Sequence, residues 1–496
     1  MTAFLTNLPA IVVVAPLLLA VAAVLLPRAC AWGVASVATA ISFISAWLLL
    51  LRFTGGRESY HLGAWQPPWG IEFALDGASV LVVVVIASLS FIATIASRAV
   101  FFPEVNPADS QRLYGAWLLA IGGLLGLALS ADAFNIFVFL EISSLASVTL
   151  VAMGGQADKR ALVTAFNYLV IGAIGATFYV IGVGFCYAMT GTLNMADLAV
   201  RLPQATNLTP VFIGLAFMVT GLMVKAAVFP VHFWLPSAYG FAPMAVTALL
   251  AAVATKAPLY VLARVTFTVF GSFTVMTGFI LQWILIPLAL MAILLGTILA
   301  IYEKDIKTML AQSSVAQIGY IVLGFGLGTS IGLQAGLVHI ANHAMIKGGM
   351  FIGLAGIATA MGRRATLGNV IGMGRRMPIT AAGFIVCGLS LIGVPLTAGF
   401  ISKLYLVLAV IDGGYWQITA LVLLASALSV AYVWRLVEAF WFRGNGNETR
   451  LAENPLVYAP LWLLAVANVW FGMNADGLVS AAGRGADSLM TITGVG

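Results

Sequence analysis

Gly221-Leu222-Met223-Val224-Lys225-Ala226-Ala227-Val228-Phe229-Pro230-Val231-His232-Phe233-Trp234-Leu235-Pro236 is apolar almost throughout, yet it holds a lysine, a histidine and two prolines. Proline inside a helix removes a backbone hydrogen bond and clashes with the preceding turn. A lysine at a membrane helix centre costs roughly 2.5 to 3.5 kcal/mol. Broken backbone at membrane depth is tolerated where protein or water satisfies the freed carbonyls. The stretch therefore reads as an interrupted transmembrane helix beside a polar path.

The rest of the chain agrees: 62% of the 496 residues are hydrophobic and 8% are charged, against about 25% charged in soluble domains. Apolar runs long enough to cross a bilayer, roughly 17 to 25 residues, recur along the whole length. They predict an all-α polytopic membrane protein of about fourteen transmembrane helices, at 8–26, 31–51, 77–97, 113–130, 133–153, 161–189, 209–239, 243–268, 275–301, 306–327, 330–360, 379–410, 416–442 and 456–474. The first is expected to be retained, because no Lys or Arg precedes it and Pro27 and Arg28 follow it without a convincing cleavage site. One membrane domain is expected over 1–496, in four sections: 1–110, 111–270, 271–442 and 443–496.

Basic residues alternate between the connections. Odd-numbered connections hold fourteen, among them Arg28, Arg98, Arg112, Lys159, Arg160, Lys304, Lys307, Arg363, Arg364, Arg375, Arg376 and Arg435; even ones and the tail hold five, Arg52, Arg57, Arg201, Arg264 and Arg484. The positive-inside rule places the odd connections in the cytoplasm and both termini on the other side; the membrane is expected to be a bacterial cytoplasmic (inner) one. The net charge of +6 is thus a topology signal rather than a nucleic-acid footprint. The three cysteines, Cys30, Cys186 and Cys387, are too far apart for a Cys-x-x-Cys cluster, and no cofactor or metal site is expected.

Four lysines remain, Lys225, Lys256, Lys347 and Lys403, in the interiors of spans seven, eight, eleven and twelve, with one acid, Glu141, in span five. Interhelical pairing and snorkelling account for one Glu and one Lys but leave three lysines without an acidic partner. Desolvation and neighbouring cations bring lysine toward its titrating range, which suits a group that gains and loses a proton. His339, His343 and Lys347 recur at i, i+4 and i+8, one helical stripe with steps of about 6 Å, short enough for water-bridged proton transfer. His232 lies in the interrupted span seven. The same stripe has no Asp, Glu or Cys beside it to complete a metal site.

Span twelve contains Gly393-Val394-Pro395-Leu396-Thr397-Ala398-Gly399-Phe400-Ile401-Ser402-Lys403. Its Pro395 precedes a buried lysine, as Pro230 follows one in span seven. Interrupted helices in corresponding positions point to inverted repeats around a transport path, expected here as two five-helix repeats over spans 4–8 and 9–13, with spans 7 and 12 broken.

These residues resemble the antiporter-like subunits shared by respiratory complex I, membrane-bound hydrogenases and Mrp-type sodium/proton antiporters. Glu141, Lys225 before Pro230, the run His232-Phe233-Trp234-Leu235-Pro236, Lys256, the segment Lys304-Asp305-Ile306-Lys307 to Ser313-Ser314, His343, Lys347 and Lys403 match the pattern in order over about 70–440. The chain looks most like the D-type subunits of Mrp antiporters, through Gly191-Thr192-Leu193-Asn194-Met195-Ala196-Asp197-Leu198 and through a lysine at 403. Around Glu141 it is more hydroxyl-rich, at Ser143, Ser144 and Ser147.

The resemblance implies that Glu141 and Lys225 form an ion pair in a first half-channel, Lys256 connects, His339, His343 and Lys347 relay centrally, and Lys403 ends the path. His232, Ser143, Ser144, Pro230 and Pro395 are accessory. It implies hydrophobic partner subunits of A, B, C, E, F and G type in a lipid bilayer, with protons and Na+ as the ions, no nucleic acid and no cofactor on this chain. The other function it carries is proton pumping in a redox complex, a membrane-bound hydrogenase or NADH-quinone oxidoreductase.

Overall fold

The computed structural model describes residues 5–101, 104–444 and 449–491; the extreme termini, expected on the non-cytoplasmic side, lie outside them. Among the described residues thirteen helices are long and apolar enough to cross a membrane. They are α1 (Leu8–Leu25), α2 (Arg28–Arg52), α3 (Gly77–Val100), α4 (Pro107–Leu129), α5 (Ala133–Gln156), α6 (Arg160–Thr190), α7a (Leu208–Lys225), α8 (Met244–Val269), α9 (Thr274–Tyr302), α10 (Ile306–Gly326), α11 (Ser330–Met361), α13 (Trp416–Phe442) and α14 (Pro455–Met473). The remaining span, α12, is two half-helices, α12a (Pro378–Ile392) and α12b (Ala398–Asp412). At 15 residues each and 1.5 Å per residue, neither half alone reaches across a hydrocarbon core of about 30 Å.

Polar residues set the helix boundaries. The side chains of Asp76, Asp132, Asn207, Asp305, Thr329 and Asn454 accept from the first-turn amides of α3, α5, α7a, α10, α11 and α14, satisfying donors that a helix start leaves free. Left-handed Gly191 and Gly362 end α6 and α11, where a Cβ would be strained.

The two interruptions share a construction. In span seven α7a stops at Lys225, earlier than Pro230, and the chain resumes as α7b (Trp234–Phe241). Ala227 (φ 55°) lies in this gap and Leu396 (φ 71°) in the gap of α12; they are the two non-glycine residues with positive φ among the described residues. Such backbone costs of order 1 to 3 kcal/mol and persists where the surroundings hold it. The indole of Trp234 donates to the Val224 carbonyl at 2.9 Å and stacks on Tyr168 at 4.4 Å, so the end of α7a is closed from the side.

α11 runs through the centre, packed against α10, α12b, α14, α12a, α8 and α3, and its middle is buried on all sides. α6 and α7a approach so closely that a Cβ on Gly221 would collide with the Gly175 carbonyl oxygen. Small residues permit such contacts between membrane helices.

Two elements lie outside the sequence expectation. Glu58–His61 (β1) and Glu72–Leu75 (β2) form an antiparallel hairpin, and Asp476–Met490 (α15) is an amphipathic helix packed on α3 and α11.

Odd-numbered connections meet at one end of the molecule, the basic end. There Arg364 contacts Asp158 (3.4 Å), Asp305 (3.0 Å) and the Gly240 carbonyl (3.2 Å). Even ones meet at the opposite end, where Arg264 pairs with Asp76 at 2.6 Å and Arg57 with Glu72 at 3.0 Å.

Candidate functional site

Of the residues singled out in the sequence, the first group lies at the α7a break. Lys225 Nζ lies 3.2 Å from Glu141 Oε1 on α5. The lysine side chain is 6% exposed and the glutamate 27%, so the acid stands toward the rim and the ammonium inside. Lys225 is also the last residue of α7a, where unpaired carbonyls give the helix end a partial negative charge. A Cβ on Gly172 of α6 would fall 3.0 Å from Ser144 Oγ and 3.6 Å from Lys225 Nζ: Ser144 therefore shares the lysine's surroundings. Ser143 does not, because its hydroxyl donates back to Phe139 and Leu140 of its own helix. His232 is buried between the rings of Phe229 and Phe233, with Nδ1 unpartnered.

Lys256 is fully buried on α8, just after a π-helical segment (Leu250–Ala254), and its ammonium donates to the Ala251 carbonyl. π-turns displace the backbone bonding pattern and recur at functional sites; the lysine here meets a carbonyl of that turn. Its hydrogen bond runs to this carbonyl and that of Lys225 to Glu141, so the two ammonium groups are not directly bonded.

On α11 the expected stripe is present. Lys347 donates to the Leu310 carbonyl (2.8 Å) and to Ser313 Oγ (2.5 Å) of α10. The rings of His343 and His339 lie nearly parallel at 6.2 Å. His343 has both ring nitrogens buried without a protein partner, a group that calls for bridging water. His339 is held on both sides, Nε2 at 3.0 Å from Gln317 and Nδ1 at 2.8 Å from Ser402.

Ser402 leads to Lys403. That ammonium donates to the carbonyls of Leu391 (3.1 Å) and Ile392 (2.7 Å), the C-terminal end of α12a, and to Ser426 Oγ (2.8 Å), and it stands 5.0 Å over the Tyr320 ring. Both broken helices thus carry a buried lysine at the interruption: Lys225 is the last residue of the first half of one, and Lys403, on the second half of the other, sets its ammonium on the C-terminal carbonyls of that helix's first half. Pro395 lies in the second gap and Pro230 in the first, each beside rather than on the path.

Several members of the site carry no signal of their own in the sequence. Gln317, Ser313, Ser402 and Ser426 hold the titratable groups; the one clue is position, since Ser402 adjoins Lys403 and Gln317 interrupts an apolar run. Lys307 and Arg264, grouped with connection residues above, are buried, at 4% and 8% exposure. Lys307 donates to the Ala242 carbonyl, and Arg264 is paired with Asp76 and Tyr260.

Comparison with known proteins agrees with this arrangement. Residues 130–429 match the family described as NADH:quinone oxidoreductase/Mrp antiporter, transmembrane. The chain is 39% identical to the N-type subunit of the NADH-quinone oxidoreductase of Desulforudis audaxviator over 91% of its length and 89% of that protein. It is 31% identical to the D-type subunit of the Na(+)/H(+) antiporter of Bacillus subtilis over 90% and 89%. A chain of the Mrp complex from Dietzia sp. superposes with a TM-score of 0.88 at 25% identity, over 99% of this chain and 98% of that one. A chain of the archaeal membrane-bound sulfane sulfur reductase superposes with 0.89 at 30%, with the same coverage. From these matches, the chain belongs to the NADH:quinone oxidoreductase/Mrp antiporter family of membrane subunits.

Proposed function

We propose that this chain is the proton-translocating subunit of a multisubunit Mrp-type cation (Na+)/proton antiporter. Protons move along Glu141, Lys225, Lys256, His343, Lys347, His339 and Lys403. The observation that carries the reading is a buried lysine at each of the two helix breaks, together with buried histidines whose nitrogens are unsatisfied or hydroxyl-bound. Spans 4–8 and 9–13 act as inverted repeats, each contributing one broken helix. The basic end faces the cytoplasm, by the positive-inside rule. The chain itself carries out no covalent chemistry. Its partners are other hydrophobic subunits, and the lysine-rich interior favours protons over Na+ within this subunit.

A second reading, a proton pump within a redox complex, is favoured by the 39% identity to a quinone oxidoreductase subunit. Purification of the native assembly, with subunit identification and iron and flavin analysis, separates the two. Hydrophobic partners without redox groups, together with Na+-driven proton flux in liposomes, support the antiporter; co-purifying iron–sulfur or flavin subunits contradict it.

A further inference from the structure

At the basic end a cavity of about 260 Å³ opens between α10, α11 and the connections after α3, α5 and α7b. Its walls include Glu104, Asp158, Thr359, Arg363 and Arg364, and Lys307 lies at its base. The charged groups that share this lining with Lys307 are Glu104, Asp158, Arg363 and Arg364. Glu104 is anchored by the Met244 amide at 2.5 Å, and the Lys307 ammonium by the Ala242 carbonyl.

The lining decides what the cavity can hold. An anion would face the carboxylates of Glu104 and Asp158. A metal cation would face Lys307 and two arginines. Water carrying an excess proton meets donors and acceptors of both signs and needs no fixed net charge. From Lys307 the route inward is short. Leu310 and Ser313, the two partners of Lys347, follow on the same helix three and six residues later, about 4.5 to 9 Å of helical rise. Lys307 shares the helix that carries both partners of Lys347, with Ser313 turned about 120° around the axis from it.

We propose that this cavity is a proton inlet from the basic end and that Lys307 is its receiving group. Lys307, when neutral, takes a proton from cavity water and passes it through water to Ser313 and Lys347. The inlet rests on the proton-path reading above and adds to it an opening into the second repeat, separate from the Glu141–Lys225 pair.

The test uses the intact assembly in sealed membranes with the native cysteines replaced; Cys30 is exposed and Cys186 and Cys387 are buried. Thr359→Cys is treated with a membrane-impermeant cationic thiol reagent from the basic end. Lys307→Met and Lys347→Ala are assayed beside it, with subunit assembly checked on native gels. Modification of Thr359→Cys is expected to lower proton flux at least fivefold, and Lys307→Met to do the same without treatment. If Lys307→Met does not assemble, the labelling arm decides. Failure of the reagent to reach Thr359→Cys, or full modification with flux within twofold, overturns the inlet. If Lys347→Ala abolishes flux in that case, the central path stands without it. Flux unchanged in Lys347→Ala overturns the path and the inlet together.

Discussion

Glu141 and Lys225 are separated by more than eighty residues of chain and meet at 3.2 Å, which gives the lysine its carboxylate partner. Glu141→Gln is expected to lower proton flux at least tenfold, and Glu141→Asp to retain part of it, measured by pH-dye quenching in vesicles holding the assembled complex. His339 is bonded on both ring nitrogens, so its orientation depends on Ser402. Ser402→Ala is expected to cost about 1 kcal/mol of stability and to slow flux severalfold, whereas Ser143→Ala, whose hydroxyl bonds only its own helix, should leave flux within twofold. The buried lysines and histidines are legible in sequence because a charge inside an apolar run announces itself. Their serine partners are not, since serines in membrane helices commonly bond back to their own backbone. Lys307 is hidden by its neighbours Lys304 and Asp305: a lysine one turn from a polar connection reads as solvent-facing until the connections folded over it are known.

At the level of helices, α7a owes its position to backbone contact with α6. Gly221→Leu would place side-chain atoms into the Gly175 carbonyl and the Tyr179 amide, and is expected to destabilise the solubilised complex by at least ~2 kcal/mol, read as a lowered unfolding temperature. At the opposite end, Asp76 both caps α3 and pairs with buried Arg264. Asp76→Asn leaves a guanidinium buried without its counter-ion and is expected to cost about 3 to 5 kcal/mol, with Asp76→Asn/Arg264→Met recovering part of it. At the basic end, the hydrogen bond from Arg160 holds the Asp158 carboxyl down at about 2, with a smaller contribution from Arg364. Because this acid is depressed in the folded state, the Asp158–Arg364 contact is fully present above the ordinary carboxylate range near 3.8. It is lost only as pH falls toward 2. The breaks in spans seven and twelve are legible from proline and lysine together, but the position of the first break is not. α7a ends at Lys225 because its carbonyls are taken by Ala226 and Trp234, contacts that local composition does not show.

For the molecule as a whole, hydropathy suffices for the number of spans, and the alternating basic residues for their sorting to two ends. The hairpin β1–β2 and the amphipathic α15 escape because neither has an apolar run of membrane length; α15 is stabilised by the faces of α3 and α11 that it covers. The proposed correspondence of two repeats rests on one shared feature, a buried lysine at the interruption of a broken helix. A path of groups in series fails at any link, so the most direct test is to break it one link at a time. The assembled complex bearing Lys225→Ala, Lys347→Ala or Lys403→Ala is reconstituted into liposomes, and proton flux is measured for each against the unmodified assembly. A series path predicts that each substitution alone lowers flux at least tenfold with the complex intact. Flux within twofold of the unmodified level for any of the three contradicts it.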